Sequence, residues 1–510
     1  MKDSEQDKFR LWRKRGVPLA AIETPDPAAT VEGILSSLNG DREKVFVAEW
    51  NSVEGTKPLN DVTKDMMAPP AEGEAALLSG DETEVLRELK AVAKQLTVKV
   101  EVNGEKKKRG PILIMHNAHV CFRNANNATG ANFVQAVSNL RDTLKQEAGM
   151  LVMLGPVLSL PLELRNDIVL HTVEYPDAAE VKSIMVSVVK AAGMKPAVVE
   201  DKHVDAMLGL PPFSVEQNTA LALVEGGIDP VTLWGHKRKT VEQTQGLSVY
   251  RGADTFDDIG GHENLKGYFR KIIKGIRAVG FIDEVEKSLS TGGGDRDGGV
   301  SADQLRTTLT EIQDGNIPCI MLIGPGGTGK SQIVKCLAGY GPEIYSIDFG
   351  ATMNSLVGES QHNIRAMFKT FRAVAAGKAL IVMTCNRIAA LPPELRRRCN
   401  LGTFFVDLPG KDERELIWPI HMKKLGIKKQ DLPDDTYWTG AEIRSCCEVS
   451  FRTGMTLKEA SLYVVPIAVS AHDQIEMLRR GANGRYISSN KPGIYKMQDE
   501  AAGSGRAVIV

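Results

Sequence analysis

Short apolar runs recur along the whole chain, and between them lie longer stretches whose apolar positions are three and four residues apart. Runs of the first kind predict buried strands, and stretches of the second kind predict helices packed against a sheet. Strands are predicted at 17–22, 45–50, 112–115 and 151–154, and again at 278–282, 319–323, 343–347, 380–383 and 404–406. This alternation predicts an α/β fold with a parallel sheet in each half of the chain.

A chain of 510 residues is too long for one hydrophobic core, so several domains are expected. The pattern predicts a degenerate, non-catalytic α/β domain at 1–175, a small helical region and linker at 176–250, an α/β core at 251–410, a helical lid at 411–480 and a disordered tail at 481–510. The first domain is interpreted as a copy of the second because 151–165 repeats the strand, the turn and the Leu-Pro-x-Glu-Leu-Arg sequence of 381–396.

The predicted strand 319–323 runs into a glycine-rich segment that matches G-x-x-x-x-G-K-[ST]. The segment reads Gly324, Pro325, Gly326, Gly327, Thr328, Gly329, Lys330, Ser331 and Gln332. Its glycines allow successive backbone N–H groups to surround a phosphate, and the following helix directs its positive end to the same place. We expect Lys330 to contact the β- and γ-phosphates of a nucleotide and the Ser331 hydroxyl to hold Mg²⁺.

Polar side chains end two other predicted strands of the second half. Asp283 and Glu284 follow the strand 278–282, and Asn386 follows the strand 380–383. We expect Asp283 to hold Mg²⁺ through water, Glu284 to polarise the attacking water and Asn386 to orient that water. The alternatives are two solvated acids at an exposed strand end and an asparagine that caps the following turn.

Three consecutive arginines, Arg396, Arg397 and Arg398, follow a Pro-Pro helix start. They form either a solvated helix face or an arginine finger that reaches the ATP of a neighbouring copy, and a finger implies a homo-oligomeric ring. Arg397 and Arg398 are the favoured candidates for the finger.

The overall composition excludes some classes of protein. There are 63 basic and 64 acidic residues, giving a net charge of −1, so no global field favours nucleic acid or a membrane. The seven cysteines include no C-x-x-C pair, which is typical of a reducing, cytoplasmic compartment. Residues 1–16 are charged and lack the apolar core of a signal peptide, and no apolar run approaches the roughly 20 residues of a membrane span.

Together these motifs resemble the AAA+ ATPases, and most closely the AAA subgroup that contains chloroplast reading-frame proteins and phage-encoded relatives. The resemblance is strong over 255–455 and weak in the first half. It implies that Asp258, Ile259 and Gly260 lie beside the adenine, that Asn386 is the sensor 1 residue, and that 438–441 begins the lid helix that faces the nucleotide. It also implies ATP and Mg²⁺ as ligands.

The sequence departs from this family in the order of its motifs, because here the acidic pair precedes the glycine-rich loop. We expect a P-loop sheet with permuted strand order, in which the strand 380–383 still lies between 278–282 and 319–323. Three strands of the first half are assigned to the sheet positions that the motif-bearing strands have in the second half. Strand 45–50 is assigned to the place of the P-loop strand, 112–115 to that of the strand before the acidic pair, and 151–154 to that of the strand before Asn386. Leu356 stands where the family has an aromatic residue that grips the substrate.

The leading hypothesis is a Mg²⁺-dependent ATP hydrolase that remodels or moves a macromolecular client, with protein favoured over DNA. One alternative is an ATP-dependent oligomeric assembly module with little turnover. Another is a DNA-associated motor of phage or bacterial type, which the neutral charge and the lack of an aromatic–basic stripe disfavour.

Overall fold

The computed structural model describes residues 3–68, 77–102, 105–123, 128–289, 302–352, 359–387 and 393–497. The chain divides into two compact units, Met1–Pro230 and Val231–Val510. Leu356 and the Gly/Asp-rich segment 291–299 lie outside the described residues. Among the helices within the described ranges, none combines the length and the apolar character needed to cross a bilayer.

A six-stranded sheet organises the first unit, with the spatial order β3-β2-β6-β7-β1-β8. The strands of this unit are β1 (Leu19–Glu23), β2 (Val47–Asn51), β3 (Gly55–Pro58), β4 (Val98–Val102), β5 (Glu105–Arg109), β6 (Ile112–Met115), β7 (Met150–Gly155), β8 (Val169–Thr172), β9 (Leu223–Val224) and β10 (Gly227–Ile228). In the large sheet β3 is antiparallel to β2, and the other neighbours are parallel. The pairs β4–β5 and β9–β10 form separate ribbons.

Helices cover both faces of this sheet, as a parallel sheet requires. Those with residues in its cores are α1 (Asp3–Arg15), α2 (Pro27–Ser37), α3 (Asp61–Met67), α4 (Glu82–Val92), α5 (Ala118–Arg123) and α6 (Ala128–Glu147). The unit also contains α7 (Ala178–Ala191), α8 (Asp201–Met207) and α9 (Pro212–Leu221). Alternate strand residues pack into two different cores: Leu151 and Met153 join one core, and Val152 and Leu154 join the other.

The second unit is built on a seven-stranded sheet with the order β11-β14-β12-β15-β13-β16-β17. Its strands are β11 (Leu247–Val249), β12 (Ala278–Ile282), β13 (Cys319–Ile323), β14 (Glu343–Ile347), β15 (Ala379–Cys385), β16 (Thr403–Phe405) and β17 (Ile487–Ser488). The edge strand β11 is antiparallel to β14, and the other neighbours are parallel. Strands β12, β13 and β15 are buried along their whole length, which explains their unbroken apolar sequences.

The helices of the second unit are α10 (Pro230–Glu242), which starts at the unit boundary, α11 (Glu263–Ile272), α12 (Val285–Leu289), α13 (Ala302–Asp314), α14 (Lys330–Lys335), α15 (Glu359–Ala375), α16 (Pro393–Arg398), α17 (Lys411–Leu425), α18 (Gly440–Thr453), α19 (Leu457–Ala460), α20 (Ile467–Ser470) and α21 (His472–Ala482). Helices α17, α18 and α19 share a small core of their own, with Trp418, Trp438 and Ile443 at its centre.

The spatial order of the strands that carry the motifs is the one predicted from the sequence. Strand β15 pairs with β12 on one side and with β13 on the other. The register aligns Ile282 with Met383 and Ile323 with Cys385. Because these strands are parallel, the residues that follow them meet at one edge of the sheet.

The assignment of 45–50 to the P-loop place of the first half is wrong. In the second unit the P-loop strand β13 lies between β15 and β16, and the equivalent place between β7 and β8 is occupied by β1. Strand β2 lies beyond β6 and forms an antiparallel hairpin with the edge strand β3, so it occupies the place that β14 has in the second sheet. Instead of a glycine-rich loop, β1 leads to Thr24, Pro25, Asp26 and Pro27.

The predicted disorder of 481–510 is wrong for the part of the tail that the structure describes. Residues 487 and 488 form β17, which extends the sheet beside β16. The ring of Tyr495 lies 4.4 Å from that of Phe405, and its hydroxyl donates to Asp407 at 2.7 Å. These tertiary contacts outweigh the Gly/Ser-rich composition, which alone favours disorder. Residues 498–510 lie outside the described residues.

Candidate functional site

The glycine-rich loop connects β13 to α14, as the motif requires. Gly327 and Gly329 have positive φ angles of 76° and 92°. A Cβ atom at Gly327 would lie 2.7 Å from Thr439 Oγ1, and one at Gly329 would lie 3.0 Å from Ile259 Cδ1. Both positions therefore require glycine for conformation and for space. The loop runs directly into the N-terminus of α14, with Gly329 as its N-cap, and phosphate-binding loops have the same arrangement.

Lys330 is buried within this loop, with 5% of its surface exposed. Its amino group donates to the carbonyl oxygens of Gly324 at 2.9 Å and Pro325 at 2.6 Å. Burial lowers the pKa of Lys330 to about 8, and the charges of Glu286, Asp283 and Glu284 act in the opposite direction. Lys330 is thus held in the loop by two uncharged carbonyl oxygens. A bound phosphate would offer it a charged oxygen as a stronger acceptor.

Ser331 and the acidic pair meet at the strand edge although they are far apart in sequence. The Ser331 hydroxyl donates to Asp283 Oδ1 at 2.7 Å. The same carboxylate oxygen accepts a hydrogen bond of 2.5 Å from the hydroxyl of Thr384, at the end of β15. Hydroxyl and carboxylate oxygens are the ligands that Mg²⁺ prefers, so Ser331 and Asp283 fit a magnesium ion that also contacts phosphate. Among the described residues, no group of three or more His, Cys, Asp or Glu side chains could hold a metal.

Glu284 and Asn386 are in direct contact. The Asn386 side-chain amide donates to Glu284 Oε1 at 3.0 Å, and the Glu284 backbone N–H donates to Thr384 Oγ1 at 2.8 Å. Lys287 forms an ion pair with the other Glu284 oxygen. Glu284 has a φ angle of 49°, a left-handed conformation that is uncommon for a residue with a side chain. A strained acid at a strand end, fixed by three neighbours, is typical of a functional position.

The three residues expected beside the adenine lie at the junction between the P-loop and the C-terminal helices. Asp258 accepts hydrogen bonds from the Thr255 backbone N–H and from Lys424 of α17, and both lower its pKa. Ile259 lies against Gly329, and a Cβ atom at Gly260 would lie 2.6 Å from Ile417 of α17. The Asp258 side chain thus contacts α17, the Ile259 side chain lies against the loop, and Gly260 lies against α17.

The start of α18 lies directly on the glycine-rich loop. The backbone N–H of Ala441 donates to the Gly327 carbonyl at 3.2 Å. The Thr439 hydroxyl is buried and, among the described residues, has no hydrogen-bond partner. Gln332, the last residue of the predicted loop segment, lies half-buried on α14. Segment 438–441 is therefore beside the loop, where the resemblance predicts it.

The three arginines of α16 have different surroundings. Arg396 donates to the Tyr486 hydroxyl at 3.3 Å and has a buried Nε atom without a hydrogen-bond partner among the described residues. Arg398 is half-buried, and Arg397 is exposed. Arg396 is therefore turned toward the C-terminal segment of its own chain, and Arg397 has the exposure that contact with another copy requires.

Three residues of the site were not predicted from the sequence. Thr384 precedes Asn386 by two positions at the tip of β15, so strand alternation was a signal for it. Glu286 accepts a hydrogen bond of 2.9 Å from the Asn386 backbone N–H, and its place two residues after the acidic pair was the only signal. The His262 ring lies 2.9 Å from the Thr328 carbonyl, a contact between distant segments that no local pattern indicates.

His262 gives the P-loop region a specific sensitivity to acid. The imidazole is 6% exposed, and burial lowers its pKa to about 4. Between pH 6.5 and about 4 the unfolded chain binds a proton here that the folded protein does not, so stability falls as the pH falls. We expect a loss of about 3 kcal/mol across this window, measured by urea unfolding at a series of pH values. His421, whose pKa burial also lowers to about 4, contributes a separate loss.

The matched variants are His262→Asn and His472→Asn. Asparagine tolerates the φ angle of 61° at position 262, and it does not titrate in this range. The His262→Asn protein is expected to be less stable at pH 7 but to depend less steeply on pH. The exposed His472→Asn control is expected to keep the wild-type slope. An unchanged slope in His262→Asn would show that this imidazole is not the acid-sensitive group.

Two family models match parts of the chain. Residues 6–173 match the N-terminal domain of SpoVK-like AAA ATPases, and residues 320–378 match the ATPase family associated with various cellular activities (AAA). The second match includes the glycine-rich loop, β13 and β14. The matches support an AAA-type ATPase with a SpoVK-like N-terminal domain.

The chain is also similar to several proteins described as uncharacterized AAA domain-containing protein ycf46. The one from Guillardia theta is 23% identical over 411 residues, which are 68% of this chain and 76% of the relative. The one from Gracilaria tenuistipitata var. liui is 24% identical over 349 residues, or 59% and 65% of the two chains. The one from Pyropia yezoensis is 22% identical over 415 residues, or 68% and 78%. The solved FIGL-1 AAA domain matches with 14% identity and a TM-score of 0.29, over 48% of this chain and 93% of that one.

Proposed function

From its AAA-type sequence and the geometry of its site, we propose that this protein binds and hydrolyses Mg²⁺-ATP and uses the cycle to remodel or move a macromolecular client. The observation that carries the proposal is the meeting of Ser331 with Asp283 at 2.7 Å. A serine from the P-loop and an acid from another strand, brought together at a sheet edge with a buried lysine beside them, are the parts that phosphoryl transfer requires.

In this proposal each residue has one task. The loop N–H groups and Lys330 would bind the phosphates, and Ser331 and Asp283 would hold Mg²⁺, which would supply positive charge to stabilise the transferred phosphoryl group. Glu284 and Asn386, already 3.0 Å apart, fix the attacking water between a hydrogen-bond acceptor and a donor. Ile259, Gly260 and the start of α18 enclose the nucleoside. Residues 411–480 act as a lid on the core 251–410.

We also propose that the second sheet keeps the spatial order of a P-loop ATPase while its chain order is permuted. The first sheet offers an internal comparison, because it too has an antiparallel edge strand followed by parallel strands. There the strand at the P-loop place, β1, comes first in the chain. In the second unit β12 precedes β13 in the chain. If β12 and α13 were moved to follow β14 in the chain, the parallel strands of both sheets would have the same chain order as well as the same spatial order.

A second candidate function, an ATP-dependent assembly module with little turnover, is favoured by the first unit. At the end of β1, the carboxylate of Asp26 accepts from the Ala29 N–H at 3.0 Å and occupies the N-terminus of α2. Pro25 and Pro27 have no N–H groups to offer a phosphate. An acid at this place repels a nucleotide, so this unit is suited to a structural or assembly role.

The proposal that the protein assembles into a ring is tested through its candidate arginine finger, Arg397. We expect ATP turnover per molecule to rise with protein concentration, because each site would need an arginine from a neighbour. Arg397→Ala should lower turnover about 100-fold without changing ATP affinity. Sedimentation measures whether the variant still assembles, and Arg444→Ala, an exposed arginine of α18, is the control. Turnover that is independent of concentration and of Arg397 would favour the second candidate function.

A further inference from the structure

The described residues include one buried acid at the site to which neither the motifs nor the resemblance gives a role. Glu286 lies on α12, three residues after Asp283, and 8% of its surface is exposed. One carboxylate oxygen accepts the hydrogen bond from the Asn386 backbone N–H. The other, Oε2, is buried and accepts no N–H or O–H hydrogen bond from the described residues; the Cys385 thiol, a weak donor, lies near this carboxylate. A buried acid with an unsatisfied oxygen costs stability, so packing alone does not explain it.

The position of Glu286 relative to its neighbours suggests what it does. Asn386 is bound twice, by its side chain to Glu284 at 3.0 Å and by its backbone to Glu286 at 2.9 Å. Both acids come from the segment that follows β12, whereas Asn386 follows β15. The two hydrogen bonds therefore join the ends of two strands and determine where the Asn386 amide lies relative to Glu284.

Glu286 also lies close to the glycine-rich loop. Together with Asn386, Pro325, Gly326 and Ile467 it lines a cavity of about 460 Å³ that opens beside the glycine-rich loop. The Glu286 charge raises the pKa of Lys330 and so opposes the effect of burial on that lysine. The Glu286 carboxylate is thus placed beside both the Asn386 backbone and the glycine-rich loop.

We propose that Glu286 is a positioning residue for ATP hydrolysis, which holds the Asn386 backbone so that the Asn386 amide and Glu284 stay aligned on the attacking water. This inference rests on the proposed ATPase function and adds to it a residue that acts through another. It requires the carboxylate oxygen as a hydrogen-bond acceptor, and a glutamine retains such an oxygen.

The test compares Glu286→Ala, Glu286→Gln, Asn386→Ala and the double variant Glu286→Ala/Asn386→Ala in the full chain. We expect Glu286→Ala to lower kcat about tenfold or more and to leave KM for ATP within about twofold, because misplacing the water affects chemistry and not binding. Glu286→Gln should restore most of the loss. The double variant should be no slower than Asn386→Ala, because a residue that works only through Asn386 adds nothing once that side chain is gone.

Amide hydrogen exchange supplies a readout that does not depend on turnover. The segment 380–387 should exchange faster in Glu286→Ala than in the wild type, and Glu286→Gln should exchange at the wild-type rate. Glu415→Ala, which removes an exposed acid from α17, is the control for both measurements.

Several results would overturn the proposal. These are a wild-type kcat in Glu286→Ala, losses that add in the double variant, a glutamine variant as slow as the alanine variant, and unchanged exchange of 380–387. If the wild-type protein itself turns over no ATP, the proposed function fails, and the exchange experiment still decides whether Glu286 holds Asn386.

Discussion

The Glu284→Gln protein is expected to bind ATP with wild-type affinity and to hydrolyse it about 1,000-fold more slowly. The amide retains an oxygen that accepts from the Asn386 side chain, so the site should keep its geometry. It lacks the negative charge that polarises water, and hydrolysis depends on that charge. Binding is measured with a fluorescent ATP analogue, and turnover by phosphate release in the presence of Mg²⁺.

Two further measurements make this result specific. Glu415→Gln, an exposed acid changed in the same way, should retain wild-type turnover. A protein that binds ATP but does not hydrolyse it should also stay in the ATP-bound state, so affinity capture with Glu284→Gln and ATP should retain a client that the wild type releases. Equal turnover in Glu284→Gln and the wild type would remove Glu284 from the catalytic role.

The parts of the site that local sequence determines were the parts that could be predicted. The glycine-rich loop, Asp283, Glu284 and Asn386 each follow an apolar run that predicts a buried strand, and parallel strands bring their ends to one edge. The order of strands in the second sheet followed from the same argument. The role of each side chain, as distinct from its position, still awaits the kinetic tests.

The errors have a common physical origin in tertiary contacts. Strand 45–50 was assigned to the P-loop place by its order along the chain, and chain order alone does not show where a buried strand lies in a sheet. The tail was predicted to be disordered because its composition is polar, but Tyr495 packs on Phe405 and gives the segment a core contact. His262 and Glu286 were missed because their partners lie on other segments, 66 and 100 residues away.

Lys330→Met is expected to abolish ATP binding while the nucleotide-free protein stays folded. The wild-type ammonium is buried, and the lowered pKa of about 8 shows that burial disfavours its charge. Methionine fills similar space without that cost, although two hydrogen bonds to loop carbonyls are lost. The melting temperature without nucleotide should therefore change little. ATP affinity should fall about 1,000-fold, because a charged donor to the phosphates is removed.

A thermal-shift titration separates these two effects in one experiment. ATP with Mg²⁺ should raise the wild-type melting temperature in proportion to the logarithm of its concentration, and it should leave Lys330→Met unmoved up to millimolar ATP. Lys335→Met is the matched control, because Lys335 lies on the same helix with its amino group 5.5 Å from the centre of the Tyr250 ring. If Lys330→Met responded to ATP as the wild type does, the nucleotide would have to bind somewhere other than the glycine-rich loop. The contacts of Ser331 with Asp283 and of Asn386 with Glu284 would then need another explanation.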